Sequence, residues 1–119
     1  MPGFTGTKVV SNTALDQNKN ATIAAVTGGG ILVWTIVLFN PDATNATFVQ
    51  FFDATSANVT VGSTAPTFVI PLGPKGGCYL TCTNPLEFRN ALTTACTATA
   101  TGNGAPSTAA VMTIGYTPA

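Results

Sequence analysis

An all-β, antiparallel sandwich is the fold that this 119-residue sequence predicts. Three observations carry that expectation. Threonine is the commonest residue, at 22 positions, and together with Val, Ile, Phe and Tyr it favours pleated, half-buried backbone over helix. Short apolar runs recur between clusters of Gly, Pro and Asn, the punctuation of strands joined by turns. No segment shows the periodicity of a long helix. About eight such strands in one chain suit a single domain of jelly-roll type, in which two Greek keys share two sheets.

Residues 1–20 are polar and hold one β-like stretch, Thr7, Lys8, Val9 and Val10. They read as an extended N-terminal arm, with the sandwich spanning 21–119. The first strand, Ala21 to Val26, stops at Gly28, Gly29 and Gly30, which adopt backbone angles that other residues avoid. Ile31 to Phe39 is largely apolar at its odd positions (Ile31, Val33, Thr35, Val37, Phe39) and apolar at its even ones (Leu32, Trp34, Ile36, Leu38). A strand apolar on both faces has something packed on each. One side is the core, and the other needs a partner.

Asn40-Pro41-Asp42 ends that run with turn chemistry, since proline fixes its own backbone and Asn or Asp side chains bond nearby amides. Thr47 to Phe52, Asn58 to Val61 and Thr67 to Leu72 are the next strands, and Pro71 puts the third at a sheet edge. Gly73-Pro74-Lys75-Gly76 is a turn with Lys75 at its tip. It is no phosphate loop, because Lys75 precedes Gly76-Gly77 rather than Ser or Thr and a helix. Cys78 to Thr83 follows, then a short strand or turn at Leu86 to Arg89. Leu92 to Thr101 alternates regularly, with Leu92, Thr94 and Cys96 facing one way and Thr93, Ala95 and Thr97 the other. Ala109 to Tyr116 closes the domain.

Charge excludes more functions than it suggests. Four acids balance four bases, and charged residues make up 7% of the chain, against about 25% in ordinary proteins. Nucleic-acid binding needs clustered Lys or Arg, so DNA and RNA are not expected partners. No histidine is present, and no pair of carboxylates has catalytic spacing, so an enzyme is not expected and Asp42 and Asp53 read as turn caps. Cys78, Cys82 and Cys96 lack a histidine to complete a zinc site and read as reduced, buried thiols. No cofactor or metal is expected. The opening residues lack a basic segment followed by an apolar one, and the longest apolar run falls far short of about 20 residues. Neither a secretory signal nor a membrane span is therefore expected. Near-zero net charge with a two-faced apolar strand points to a domain packed within a larger assembly.

The run Leu38-Phe39-Asn40-Pro41-Asp42-Ala43 through Phe48-Val49-Gln50-Phe51-Phe52-Asp53, then Val61-Gly62-Ser63-Thr64-Ala65-Pro66 with Phe68-Val69-Ile70-Pro71-Leu72 and the Gly-rich turn, resembles small β-sandwich proteins of tailed bacteriophage particles. The strand at Thr113-Ile114-Gly115-Tyr116 adds to the likeness, which covers Ile31 to Thr117. Such proteins are similar to capsid decoration, or cement, proteins: jelly-roll homotrimers on the outside of the head that clamp neighbouring copies of the major capsid protein. The resemblance implies a virion protein, made in the host cytoplasm and located on the capsid exterior. Its expected partners are the major capsid protein and further copies of itself. The rival expectation is a tail, fibre or adhesin-type sandwich that binds a host receptor or glycan. Thr7, Lys8, Val9 and Val10 are the expected shell contacts, and Trp34, Ile36 and Leu38 the expected subunit-packing residues.

Overall fold

The computed structural model describes residues 8–18, 20–23 and 30–119. Eight strands follow in chain order: β1 (Lys8–Leu15), β2 (Asn20–Ile23), β3 (Ile31–Phe39), β4 (Thr47–Phe52), β5 (Phe68–Leu72), β6 (Gly77–Phe88), β7 (Leu92–Thr97) and β8 (Ala110–Pro118). They form two four-stranded sheets, ordered β1-β8-β3-β6 and β2-β7-β4-β5. Every ladder is antiparallel. The fold is the all-β antiparallel sandwich that the sequence predicts.

The pairing has a nested order. Strand β1 pairs with β8, β2 with β7, β3 with β6 and β4 with β5. The chain is one long hairpin folded at the 53–67 connection, and the β3–β8 and β4–β7 ladders join its rungs into sheets. β5 is an edge strand, as Pro71 requires, because proline has no amide to give to a second neighbour.

Inner-face residues of both sheets make one core, including Leu15, Ile31, Val33, Ile36, Leu38, Val49, Phe51, Leu92 and Ile114. Full burial of each such side chain contributes about 1.5–3 kcal/mol. Phe51 stacks on Phe68 with ring centroids 4.6 Å apart, and Phe68 meets Phe88 at 6.2 Å, so an aromatic row crosses from one sheet to the other. At the start of β3, Gly30 has φ +76, and a Cβ there would collide with the Phe88 carbonyl and the Arg89 Cα. That position admits glycine alone.

The second sheet is covered on its outer face as well. The 53–67 connection lays Val59 and Val61 against Phe52 and Ala95, which makes a small second core. Thr93 Oγ1 donates to the Ala54 carbonyl at 2.8 Å, and the buried Gln50 donates through Nε2 to Thr97 Oγ1 at 2.7 Å and to the Gly102 carbonyl at 3.0 Å. All six residues of β7 are therefore buried, on both faces. The alternation expected over Leu92 to Thr101 thus continues only to Thr97, where the strand ends, and its second face is covered rather than open. Asn58 to Val61, expected as a strand, is instead the end of a single 3-10 turn (Ser56–Asn58) followed by a turn. Its apolar residues serve as a cover, a role that alternating hydrophobicity cannot distinguish from a strand.

Two more expectations change. The stretches Cys78 to Thr83 and Leu86 to Arg89 are one strand, β6, which continues through Asn84-Pro85. From Lys8 onward the expected arm is sheet: β1 pairs with β8 from Lys8↔Tyr116 to Leu15↔Ala110, and Leu15 is fully buried. Thr7 and the rest of 1–7 lie outside the described residues, as do residues 24–29, on which the end of the expected Ala21 to Val26 strand falls.

Polar side chains tie the connections together at one end of the sandwich. Buried Asn40 donates through Nδ2 to the carbonyls of Asn45 (2.9 Å), Gly73 (3.0 Å) and Leu72 (3.4 Å), and its Oδ1 accepts the Asp42 amide at 3.0 Å. Asp42 Oδ1 accepts the amides of Thr44 and Asn45, both at 2.8 Å, and Oδ2 accepts the Thr108 hydroxyl at 2.8 Å. Three connections, β3–β4, β5–β6 and β7–β8, are joined in this way.

These contacts generate two expectations. Phe51→Ala should destabilise the fold by about 3–5 kcal/mol, the range for emptying a buried aromatic site, read as a lowered urea midpoint. The amides of Thr44 and Asn45, then the Thr108 hydroxyl, hold the Asp42 carboxyl at about 2, below its ordinary 3.8. A depressed carboxylate stabilises the native state fully above its unfolded value and loses that contribution as pH falls toward the folded one. Melting curves between pH 5 and pH 2 should therefore show a decline that is shallower in Asp42→Asn.

Candidate interaction surface

The surface that stands out is the outer face of the first sheet, and a β-bulge on β3 creates it. Val33 and Thr35 pair with Tyr116 and Gly115, neighbours on β8, so Trp34 is one residue too many on β3. A bulge of this kind shifts the alternation of the strand by one residue. Before it, the odd residues Ile31 and Val33 face the core; after it, the even residues Ile36 and Leu38 do. Trp34, Val37 and Phe39 are left outside, each more than a third exposed.

This corrects the expected subunit-packing set. Trp34 lies on the outer face, where its Nε1 donates to Thr117 Oγ1 at 2.9 Å. Ile36 and Leu38, 0% and 2% exposed, are core residues and offer nothing to a neighbouring molecule. A plain alternation puts the three on one face; the bulge separates them.

The remaining outer residues come from the register. Val37 shares its rung with Thr113 of β8 and Tyr79 of β6, and Thr113 with Ser11 of β1. Tyr79 is 76% exposed. One rung toward the strand end, Phe39 lies beside Val111 and Gly77. On the other side, Thr35 lies beside Gly115 and Thr81, with Val9 next to Gly115 and 68% exposed. None of the described residues on these rungs carries a charge. Val37, Phe39 and Tyr79 escape sequence reading as a site, although the two-faced apolar pattern of β3 is the signal that part of it lies outside.

The expected shell contacts divide as well. Lys8 and Val9 are exposed on the edge strand β1, with Val9 on the outer face just described. Val10 points the other way and packs partly buried against the core. Tyr116 also packs against the core.

Ionisable groups here have structural partners. Asp53 accepts the amides of Asn90 at 2.9 Å and Arg89 at 3.2 Å, which fixes the β6–β7 turn to the end of β4. Glu87 and Arg89 face each other at 3.9 Å in solvent, where such a pair contributes about 0–1 kcal/mol. The three cysteines are free thiols; Cys96 is buried, and burial pushes its thiol above the ordinary value. Among the described residues no three His, Cys, Asp or Glu side chains group to hold a metal, and no helix is long and apolar enough to cross a membrane.

Comparison with known proteins finds no protein family whose profile matches this chain and no curated protein similar to it. The surface is therefore interpreted from its own geometry and chemistry.

Adjacent residues of β3 should respond oppositely to the same charge. Ile36→Asp buries an unpaired carboxylate and should abolish cooperative unfolding or lower stability by more than about 4 kcal/mol. Val37→Asp, on the outer face, should change stability by no more than about 1 kcal/mol. Denaturation of the two purified variants reads the difference.

Proposed function

We propose that this chain is a structural virion protein that decorates a bacteriophage capsid by binding the outside of the major capsid protein lattice. The observation that carries this reading is the inequality of the two sheets. The second is covered on its outer face by the chain's own connections, whereas the first leaves Trp34, Val37, Phe39 and Tyr79 exposed. Exposed aromatic and aliphatic side chains set among threonines, on rungs without charge, suit packing against other protein. A chain with net charge +0 also suits a shell exterior better than a surface facing packaged DNA, which would be basic.

The jelly-roll part of the reading is supported by the strand order, since pairing strand n with strand 9 − n is what two Greek keys wrapped into two sheets produce. The resemblance of Leu38–Asp53 and Val61–Leu72 to decoration proteins supports the class. Mechanistically, a protein that binds only the assembled lattice stabilises it by mass action, by about 2.7 kcal/mol per site at a free concentration one hundred times its Kd. Val9, exposed at the edge of the outer face, stays in the shell-contact set on this reading, and Val10, packed against the core, leaves it.

Copy number tests the proposal. Quantitative mass spectrometry of purified virions should find this chain at roughly one copy per major capsid protein, as symmetric lattice sites require. A handful of copies per particle would assign it to the tail or a fibre, and absence from particles would reject the virion role. Tyr79→Asp should fold normally yet sediment at least tenfold less with capsids than the wild type, while undiminished binding would remove the outer face from the contact.

A further inference from the structure

The β7–β8 connection holds a pair of residues with a chemistry of its own, Asn103-Gly104. We infer that Asn103 is a site of spontaneous deamidation, in which the Gly104 nitrogen attacks the Asn103 carboxamide and the products are aspartate and isoaspartate at position 103.

The following residue decides which asparagine can react in this way. Of the nine asparagines, Asn40 and Asn84 precede proline, whose nitrogen carries no hydrogen to lose. Six others precede Thr, Lys, Ala or Val, and the Cβ of each crowds the approach of its nitrogen to the carboxamide. Asn103 alone precedes glycine, which has no Cβ.

Both reacting groups are free to meet. Asn103 and Gly104 are exposed and lie outside any strand. Among the described residues the Gly104 amide has no acceptor, and only its carbonyl is engaged, by the Ala98 amide at 3.1 Å. The Asn103 carboxamide has no hydrogen-bond partner either; it rests on Gly62, where an added Cβ would stand 3.1 Å from Asn103 Cγ. By contrast, Asn40, Asn45 and Asn90 each commit Nδ2 to a hydrogen bond.

The step needs base and water and no oxidant. The Gly104 nitrogen loses its proton to solvent base and bonds to Asn103 Cγ, the Cγ–Nδ2 bond breaks, and Nδ2 leaves as ammonia. Water then opens the five-membered imide. Addition at Cγ restores the original main chain and leaves aspartate; addition at the main-chain carbonyl carbon leaves isoaspartate, with the chain running through Cβ and Cγ.

The two products differ in consequence. Asn103 stands between two anchored carbonyls, that of Gly102, which accepts from buried Gln50 Nε2 at 3.0 Å, and that of Gly104. Aspartate keeps their spacing and adds one negative charge at an exposed site. Isoaspartate inserts a further carbon between them, so holding one anchor displaces the other. Gln50 Oε1 has no partner among the described residues, so this side chain depends on the bonds of Nε2, and loss of the Gly102 acceptor should lower the folding equilibrium constant about five- to thirtyfold. The inference stands independently of the virion reading.

Incubation of the folded chain in mildly alkaline heavy-oxygen water, followed by digestion and mass spectrometry, tests it. Position 103 should react before any other asparagine, take up one solvent oxygen, yield both products, and react faster as pH rises. Gly104→Ala should fold as the wild type does, because Gly104 does not use the left-handed region and an added Cβ meets only Ala98 Cβ at 4.0 Å. Its rate at position 103 should fall to that of the other asparagines. After ion exchange, the isoaspartyl form should show the lowered folding constant in urea, whereas Asn103→Asp should stay within about twofold of the wild type. Earlier reaction at another asparagine, aspartate as the sole product, an unaltered rate in Gly104→Ala, reaction only after unfolding in urea, or an isoaspartyl form as stable as the wild type would each overturn the inference.

Discussion

One extra residue on β3 decides which side chains are core and which are surface. In a strand the two faces alternate with a period of two, so a one-residue slip moves a whole set of side chains to the opposite face. Trp34 is that residue, and the slip it introduces lets Ile31 and Val33 share a core with Ile36 and Leu38 while sending Val37 and Phe39 outward. β3 is central in its sheet and pairs on both sides, with β8 and β6. Its offset therefore sets the rungs on which Tyr79, Thr113 and Val9 stand. The composition of the outer face and the position of Tyr79 at its open edge follow from this register.

Much of the fold was legible because turn chemistry and apolar runs are local signals. The bounds read for β3 and β4 coincide with the observed strands, and Pro71 marks β5 as an edge. The bulge was not legible. In Ile31–Phe39 both faces are apolar, so a shift of register leaves no trace in the pattern, and Ile36 and Leu38 were grouped with Trp34 for that reason. Val59 and Val61 mislead differently: they are apolar in alternation because they cover β4 and β7, and a cover needs the same spacing as a strand. Val10 and Leu15 read as part of a polar arm because their neighbours are polar, yet β1 needs only one side apolar to join a sheet.

Few charges occur in this chain, and those among the described residues stand near strand ends and in turns. Asp42 and Asp53 hold main-chain amides at connections, Lys75 stands at a turn tip with φ 55, and Glu87 and Arg89 flank the β6–β7 turn. The sheet faces are consequently written in Thr, Val, Ala and aromatic residues. Such faces offer shape and hydrophobicity to a partner but little electrostatic steering, so association is expected to be slow in onset and weakly dependent on salt.

The nested pairing also orders the cost of closing the chain. Phe51 and Phe68, the innermost paired positions of β4 and β5, are 17 residues apart, whereas Ser11 and Thr113 in the outermost pair are separated by 102. Loop-closure entropy grows with the logarithm of length, so the outer contact formed alone costs about 1.6 kcal/mol more than the inner one. Each inner pair that forms shortens the loop left for the next, so assembly outward from the middle of the chain, as in a zipper, has the lower closure cost at each step. Until β8 docks between β1 and β3, the most apolar strand of the protein lacks one of its two neighbours. β8, which follows all its sheet partners in the chain, thus closes the first sheet, and the core stays incomplete until β8 is in place.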